Sequence, residues 1–315
     1  AVSHFTAHRG LPMIILLVSP CINPDYKTPK KAMIPQLALH ILSSLTPATH
    51  RVIIVEEEYE NIPFDAECDL VGISCFTANA PRAYEIAGEF RRRGKAVVLG
   101  GIHPTLLPDE ALRHADAVIA GEAEGVWGTM LQDFERGGMK KIYRCSDTPL
   151  DAYYPPRAAG SRLKRPFRGV PAMTTRGCPH ECEFCSVSRI YGKKVRHAPV
   201  DHVVRYIRES GGRYFIFHDD NIIGDRKYAR ALFTALAKLR IRWVGQGSVS
   251  LAKDPDLMKL AYDSGCRALL FGVESVAAGG RRYPGKSFRH TDEIGEAISA
   301  IRASGILFHA SLVFG

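Results

Sequence analysis

Three of the eight cysteines, Cys178, Cys182 and Cys185, sit close together directly after the short apolar run Gly169 to Met173. Thiolates are soft ligands that select zinc, copper(I) or iron–sulfur clusters. Three of them at C-x3-C-x2-C spacing can wrap one face of a cubane cluster and leave its fourth iron without a protein ligand. An open iron is a binding position, so this loop is a place for chemistry. A closed zinc site needs a fourth ligand, which only His180 or His197 lies near enough in sequence to supply. Neither histidine completes the paired C-x2-C pattern of a zinc ribbon. Disulfides require an oxidising compartment. Eight cysteines with no regular framework and no export signal instead point to a reducing, cytoplasmic setting.

Polar and small residues recur wherever an apolar run ends. In the second half the run ends read His218-Asp219-Asp220-Asn221, Gln246-Gly247-Ser248 and Gly272-Val273-Glu274-Ser275. A buried acid at such an end more often satisfies a neighbouring backbone group than performs catalysis. Three in register with a cysteine loop shift the balance toward ligand contact. Lys286 and Arg289 follow on a loop, where a solvated charge is the plainer account and contact with an anionic group the sharper one. In the first half the ends read Ser19-Pro20-Cys21, Ser74-Cys75-Phe76-Thr77, Gly100-Gly101-Ile102-His103-Pro104-Thr105 and Gly121-Glu122-Ala123-Glu124. Glycine there lets a ligand approach the backbone, and small hydroxyls bond without bulk. No G-x-G-x-x-G is present, so dinucleotide binding is unsupported.

The elements that must carry these ends follow from pattern. Met13 to Ser19 is a continuous apolar run, as in a strand buried on both faces. Further strands are expected at Arg51 to Val55, Leu70 to Ser74, Ala96 to Leu99 and Ala117 to Ala120. Helices are expected between them at Pro35 to Ser44, Pro81 to Arg92 and Pro108 to His114, with Glu124 to Glu135 closing the set. Such alternation predicts a doubly wound, flavodoxin-like parallel sheet over residues 13–140, with ligands beyond the strands' carboxyl ends. The proline- and arginine-rich stretch 141–168, with Tyr153 and Tyr154 as packing residues, reads as a linker.

The second domain, residues 169–315, repeats strand and helix. Strands are expected at Val170 to Thr175, Tyr214 to His218, Trp243 to Ser248, Ala268 to Phe271 and Phe308 to Phe314. Helices are expected at Val200 to Glu209, Lys227 to Leu239, Pro255 to Ser264 and Thr291 to Ala303. This is the repeat of a parallel α/β barrel, whose active residues line the carboxyl ends of the strands.

Length and charge set bounds. A chain of 315 residues holds about two domains. The hydrophobic and charged fractions, 46% and 24%, are those of an ordinary globular protein. No run approaches the ~18 apolar residues of a membrane span. Ala1 to Pro12 lacks the layout of a signal peptide and reads as a leader. The formal charge of +9 suits anionic cofactors and an anionic small-molecule substrate. Its basic residues are dispersed apart from Arg91 to Arg93, Arg162 to Arg168 and Lys193-Lys194, and nucleic acid is not the expected partner.

With Phe184 before the last cysteine and a strand ahead of the loop, the C-x3-C-x2-C motif resembles the signature of the radical S-adenosylmethionine (SAM) superfamily. The resemblance implies a [4Fe-4S] cluster on Cys178, Cys182 and Cys185, with SAM chelating the open iron through its amino and carboxylate groups. Reductive cleavage of the sulfonium then gives a 5′-deoxyadenosyl radical. It further implies SAM contacts at Phe184, Asp220, Gln246, Ser248, Glu274 and Ser275. Gly272-x-Glu274-Ser275 matches the family's fourth-strand segment, and Asp219-Asp220-Asn221 matches a segment common in its cobalamin-fused branch. Such barrels usually have six strands and only five are readable here, so the C-terminal part of the barrel is expected to be missing.

The set Ser74-x-x-Thr77-x-Asn79, Gly100-Gly101-x-His103-Pro104-Thr105 and Gly121-Glu122-Ala123-Glu124 resembles the cobalamin-binding domain fused ahead of many radical SAM enzymes. It implies cobalamin contacts at Pro20, Cys21, Ser74, Thr77, Gly100, Gly101, His103, Pro104, Thr105, Gly121 and Glu122. The chain departs from the D-x-H-x-x-G version of that domain, because Ser19 to Thr28 contains no histidine, so no protein imidazole is implied below cobalt. A cobalamin-type fold without its cofactor is the plainer alternative.

Together the resemblances imply a cobalamin-dependent radical SAM enzyme. The expected reaction is methylation of an unactivated carbon on a small-molecule, lipid or tetrapyrrole-type intermediate. The expected electron donor is a flavodoxin or ferredoxin. Ring closure or rearrangement on the same fold is the first alternative. Methylthiolation would need a second cluster from Cys21, Cys68, Cys75 and Cys145, whose placements do not match that family's pattern. A non-catalytic binding module with structural zinc is the third.

Overall fold

The computed structural model describes residues 11–26, 35–150, 169–180, 182, 184–274 and 291–312. The expectations for residues 1–10, the tyrosines and later prolines of the connector, Ser275, Lys286, Arg289 and the residues after Leu312 lie outside them. The chain divides into two compact units, one whose described residues run to Thr148 and one whose described residues begin at Pro149. No described helix is long and apolar enough to cross a membrane.

The first unit runs β1 (Ile14–Ser19), α1 (Leu37–Leu45), β2 (Arg51–Glu56), β3 (Leu70–Ser74), α2 (Ala80–Arg92), β4 (Ala96–Gly100), α3 (Ile102–Leu106), α4 (Pro108–Leu112), β5 (Ala117–Gly121), α5 (Trp127–Glu135) and β6 (Ile142–Cys145). Among the described residues six parallel strands form one sheet of order β2-β1-β3-β4-β5-β6. The order reverses between β1 and β3, which opens a crevice beyond their carboxyl ends. Ile15, Leu16, Leu17 and Val18 are all fully buried, as a strand covered on both faces requires. Leu16 joins Val71, Ile86 and Phe90 on one side, while Ile15 and Leu17 join Trp127 and Met130 on the other. The Trp127 indole donates to Thr46 Oγ1 at 2.9 Å.

Strand β6 lies in the stretch that the sequence predicts to be linker. It is an edge strand that buries only Tyr143, so it lacks the continuous apolar run of its neighbours. The Tyr143 hydroxyl donates to Asp133 Oδ2 at 2.9 Å and ties the edge to α5.

The second unit runs β7 (Val170–Ala172), β8 (Thr175–Arg176), α6 (Val187–Tyr191), β9 (Arg196–His197), α7 (Val200–Ser210), β10 (Tyr214–Phe217), α8 (Arg226–Leu236), β11 (Arg242–Gly247), α9 (Pro255–Asp263), β12 (Cys266–Glu274), α10 (Thr291–Ala303) and β13 (Leu307–Leu312). Among the described residues five parallel strands stand in the order β13-β12-β11-β10-β7. Neighbours in sequence are neighbours in space, the arrangement of part of a β/α barrel. The helices bury one face around Phe215, Phe217, Phe233, Trp243 and Phe271. Trp243 meets Phe217 edge-on at 5.3 Å and donates to Ser264 Oγ at 3.1 Å. The strand expected from Val170 to Thr175 breaks after Ala172, and Thr175–Arg176 pairs instead, antiparallel, with Arg196–His197. The break has a cause in the site.

Candidate functional site

The cysteine loop leaves the carboxyl end of β7 and is held, nearly residue by residue, by the segment that leaves the end of β10. Asp219, with no exposed surface, accepts from four donors through Oδ1. These are the amides of Thr174 and Thr175 at 3.1 and 2.6 Å and their hydroxyls at 2.5 and 2.7 Å. Those amides would otherwise extend the ladder with β10, which explains why β7 stops early. Burial pushes the Asp219 carboxyl up to about 6, while the four donors favour the ionised form. At neutral pH it is therefore a carboxylate acceptor.

Asp220 comes next. Its Oδ2 accepts from the Gly177 amide at 3.3 Å, and burial raises its carboxyl against that bond and the nearby Arg176 charge. Asn221 then donates from Nδ2 to the Cys178 sulfur at 3.9 Å. Gly177 turns the chain with φ +90°, where a Cβ would stand 2.7 Å from the Lys194 carbonyl oxygen. Only glycine fits that close approach.

Cys178, Cys182 and Cys185 are half-buried and not in disulfides, and the Cys185 amide bonds the Cys182 carbonyl at 3.0 Å. Burial pushes the Cys178 thiol up, and the donors from His180 and Asn221 draw it partly back. Among the described residues no three His, Cys, Asp or Glu side chains gather around one ion position. A cubane binds each thiolate through a different iron, so its sulfurs need not converge as tetrahedral zinc requires. His197, one of the two possible fourth zinc ligands, has Nε2 3.2 Å from Asp225 and its ring stacked on Tyr228 at 4.4 Å. The donor set fits an iron–sulfur cluster.

The residues expected around SAM divide. Phe184 is 50% exposed. Gln246 is exposed, and its carbonyl accepts from the Ile222 amide at 3.0 Å. Ser248 spends its hydroxyl capping the turn Val249–Lys253. Asp220 serves the cluster loop as described. Glu274 ends β12 with φ +67°, a left-handed backbone that a side-chain-bearing residue adopts only at a cost. Strain of that kind collects where a side chain must be aimed. The sequence does not foresee Asn221 and Asp219 as separate supports of the loop. Their signal is a run of three hydrogen-bonding side chains at a strand end.

In the first unit the switch point is closed by a few directed bonds. Asn79 donates to the Pro20 carbonyl at 2.8 Å and accepts from the Phe76 amide at 2.9 Å, joining the ends of β1 and β3. Cys21, buried, donates its amide to Glu57, which Arg82 grips through Nη2 at 2.6 Å. Burial would raise the Glu57 carboxyl, but the bonds from Arg82 and Cys21 outweigh it and hold it below the usual carboxylate range. Gly101 and Gly121 have φ +99° and +98°. A Cβ on Gly101 would strike the Cys75 carbonyl, and one on Gly121 the Cys145 carbonyl.

Several expected cobalamin contacts are engaged within the protein. Thr105 donates to the Gly101 carbonyl at 2.7 Å and accepts from the Gly121 amide at 2.9 Å. His103 is buried beside Pro104, with Nδ1 3.3 Å from Thr77 Oγ1 and Nε2 3.0 Å from the Tyr84 hydroxyl. Glu122 is buried and accepts from the Thr148 amide at 2.9 Å. Thr77 is nonetheless exposed, and Ser74, Gly100, Gly101 and Gly121 are half-exposed. Beyond the same strand ends the apolar side chains Ile22, Phe76, Leu106 and Leu107 stand exposed. A rim of small polar groups and glycine backbone beside uncovered apolar side chains fits a large, flat, partly apolar ligand such as cobalamin.

Comparison with known proteins agrees with both halves. The B12 binding domain model matches residues 38–128, and the Radical SAM superfamily model matches residues 173–314. The bacteriochlorophyllide d C-8(2)-methyltransferase of Chlorobaculum tepidum is 34% identical over 76% of this chain and 57% of its own length. The bacteriochlorophyllide d C-12(1)-methyltransferase of the same organism is 31% identical over 95% of this chain and 69% of its own length. The chain thus spans little more than half of the first relative and about two thirds of the second. The solved radical SAM methyltransferase TsrM from Kitasatospora setae, with cobalamin and a [4Fe-4S] cluster bound, superposes with a TM-score of 0.73 at 16% identity, over 97% of this chain and 70% of its own. That likeness shows the fold. With both domain models present in order, and an extended match above 30% identity, the chain belongs to the radical SAM superfamily, in the branch that carries a B12-binding domain.

Proposed function

We propose that the chain is a cobalamin-dependent radical SAM methyltransferase acting on a carbon of a tetrapyrrole-type intermediate. The observation that carries the reading is the cysteine loop, whose approach is fixed by Asp219 at Thr174 and Thr175, by Asp220 at the Gly177 amide and by Asn221 at the Cys178 sulfur. Such fixing suits a centre whose geometry must survive electron transfer. Cys178, Cys182 and Cys185 would hold the cluster. Glu274, with its strained backbone, is the side chain assigned to SAM. Ser74, Thr77 and the glycines at the rim of the first unit are assigned to cobalamin. When bound, the cluster and SAM supply a radical able to take hydrogen from an inert C–H bond, and cobalamin supplies the methyl group. The protein's work is to hold these centres against one substrate.

The tetrapyrrole assignment is supported by the two bacteriochlorophyllide methyltransferases among the relatives. The net charge of +9 suits a carboxylate-bearing ring system. An external low-potential donor, a flavodoxin or ferredoxin, completes the system.

The test is anaerobic. Purified and reconstituted protein should be brown, with cluster and corrinoid absorption together, and should lose its iron when Cys178, Cys182 and Cys185 are all changed to alanine. With SAM carrying a labelled methyl group and bacteriochlorophyllide d as probe, the product should gain one labelled methyl by mass spectrometry. A full cluster in the triple variant sinks the assignment of the cysteines. A product with no added carbon and two fewer hydrogens would indicate ring closure instead.

A further inference from the structure

We propose that Asn221 is a positioning residue for the iron–sulfur centre, whose side-chain N–H donates to the Cys178 sulfur and makes the bound cluster easier to reduce. The inference rests on the reading that Cys178, Cys182 and Cys185 hold the cluster. Asn221 is only 4% exposed, and its Nδ2 lies 3.9 Å from the Cys178 sulfur. A sulfur bound to iron offers lone pairs and no proton, so only the nitrogen end of the carboxamide can satisfy it. The oxygen must then face the other way. Asn221 Oδ1 is indeed buried with no hydrogen-bond partner among the described residues. A buried acceptor left unmade costs about 1–3 kcal/mol. A carboxamide serving the fold alone would not leave that atom unanswered.

The backbone around Asn221 leaves its side chain little freedom. The Gly224 amide bonds the Asn221 carbonyl at 2.9 Å, and the Ile222 amide bonds the Gln246 carbonyl at 3.0 Å. This loop presses on the cysteine loop directly, since a Cβ on Gly224 would stand 3.1 Å from Pro179 Cδ, on the residue that follows Cys178. The donor is therefore delivered to the sulfur by two strand ends, β10 and β11. A hydrogen bond to a cluster sulfur is stronger when the cluster carries the extra electron, so it favours the reduced form and raises the potential.

The experiment uses the full chain, reconstituted anaerobically without substrate, with iron and sulfide counted and the midpoint potential followed by electron paramagnetic resonance. Two variants are compared with wild type. Asn221→Asp keeps the shape and loses the donor, and Asn221→Leu keeps the branched outline and loses both polar ends. The expected result is full iron in each. The one-electron reduction equilibrium should shift about tenfold against the reduced cluster in Asn221→Leu, equal to a fall of about 59 mV. The fall should be larger in Asn221→Asp. Should the Asp variant fail to fold, the Leu variant carries the same measurement. A full cluster with an unmoved potential overturns the role of Asn221 and leaves the cluster assignment standing. Wild-type protein that takes up no iron overturns both.

Discussion

The amide of Thr175 donates to Asp219 Oδ1 at 2.6 Å across 44 positions of sequence, the shorter of the two backbone amide bonds among the four that reach that one oxygen from amides and hydroxyls. One carboxylate thereby fixes two consecutive residues, and those residues open the loop to the cysteines. Asp219→Ala should strand four buried donors. At about 1–3 kcal/mol for each unsatisfied group, partly relieved by water, the second unit should lose about 4 kcal/mol. Urea unfolding followed by circular dichroism checks the loss, and iron uptake should fall with it. A variant within about 0.5 kcal/mol of wild type, the usual range for surface changes, would remove Asp219 from its role.

The same group has a pH signature. Burial raises its carboxyl from an ordinary 3.8 to about 6. The native chain then keeps a proton that the unfolded chain has already released. Its stabilisation relative to Asp219→Asn is fully present below about pH 4, declines as pH rises to about 6, and stays level above that. The decline should amount to about 3 kcal/mol at most. Unfolding both proteins without cofactors at several pH values between 4 and 7 measures it. A difference independent of pH, or one that grows with pH, contradicts the assignment.

Gly101 and Gly94 both have positive φ, +99° and +74°. Their surroundings differ. A Cβ on Gly101 would meet the Cys75 backbone, its nitrogen at 2.9 Å, while one on Gly94 would meet nothing within 4 Å. Gly94→Ala should cost about 1 kcal/mol, the conformational term alone. Gly101→Ala should cost at least about 3 kcal/mol, because the ends of β3 and β4 must separate, and corrinoid uptake should fall. Equal costs would mean that the contact with Cys75 is not tight.

Glu274 holds φ +67° at the end of β12. Glycine tolerates that conformation, so Glu274→Gly should leave stability unchanged or raise it by about 1 kcal/mol. Equilibrium dialysis should at the same time find SAM bound at least tenfold more weakly. Tighter or unchanged binding would free Glu274 from any ligand role.

Legibility in the sequence follows the physics of each element. Ile15 to Val18 are readable because burial on both faces demands an unbroken apolar run. Strand β6 is not, because an edge strand that buries one tyrosine has no such run. The cysteine spacing is chemistry written locally, so it is readable without the fold. His103, Thr105 and Glu122 have the polar groups that a ligand would use. Those groups serve equally well to join turns, and only three-dimensional proximity shows His103 meeting Tyr84, Thr105 bridging Gly101 and Gly121, and Glu122 meeting Thr148. Asp219 illustrates the same limit. A carboxylate in an Asp-Asp-Asn run at a strand end can serve a ligand or a neighbouring backbone, and only the donors from Thr174 and Thr175 around it decide for the backbone.

The chain's two tryptophans are Trp127 in the core of the first sheet and Trp243 in the core of the second, each donating to its own hydroxyl partner. Emission from a Trp127→Phe protein would therefore arise in the unit that carries the C-x3-C-x2-C loop, and emission from Trp243→Phe in the other. The packing of each tryptophan in its own core can thus be followed separately within one intact polypeptide.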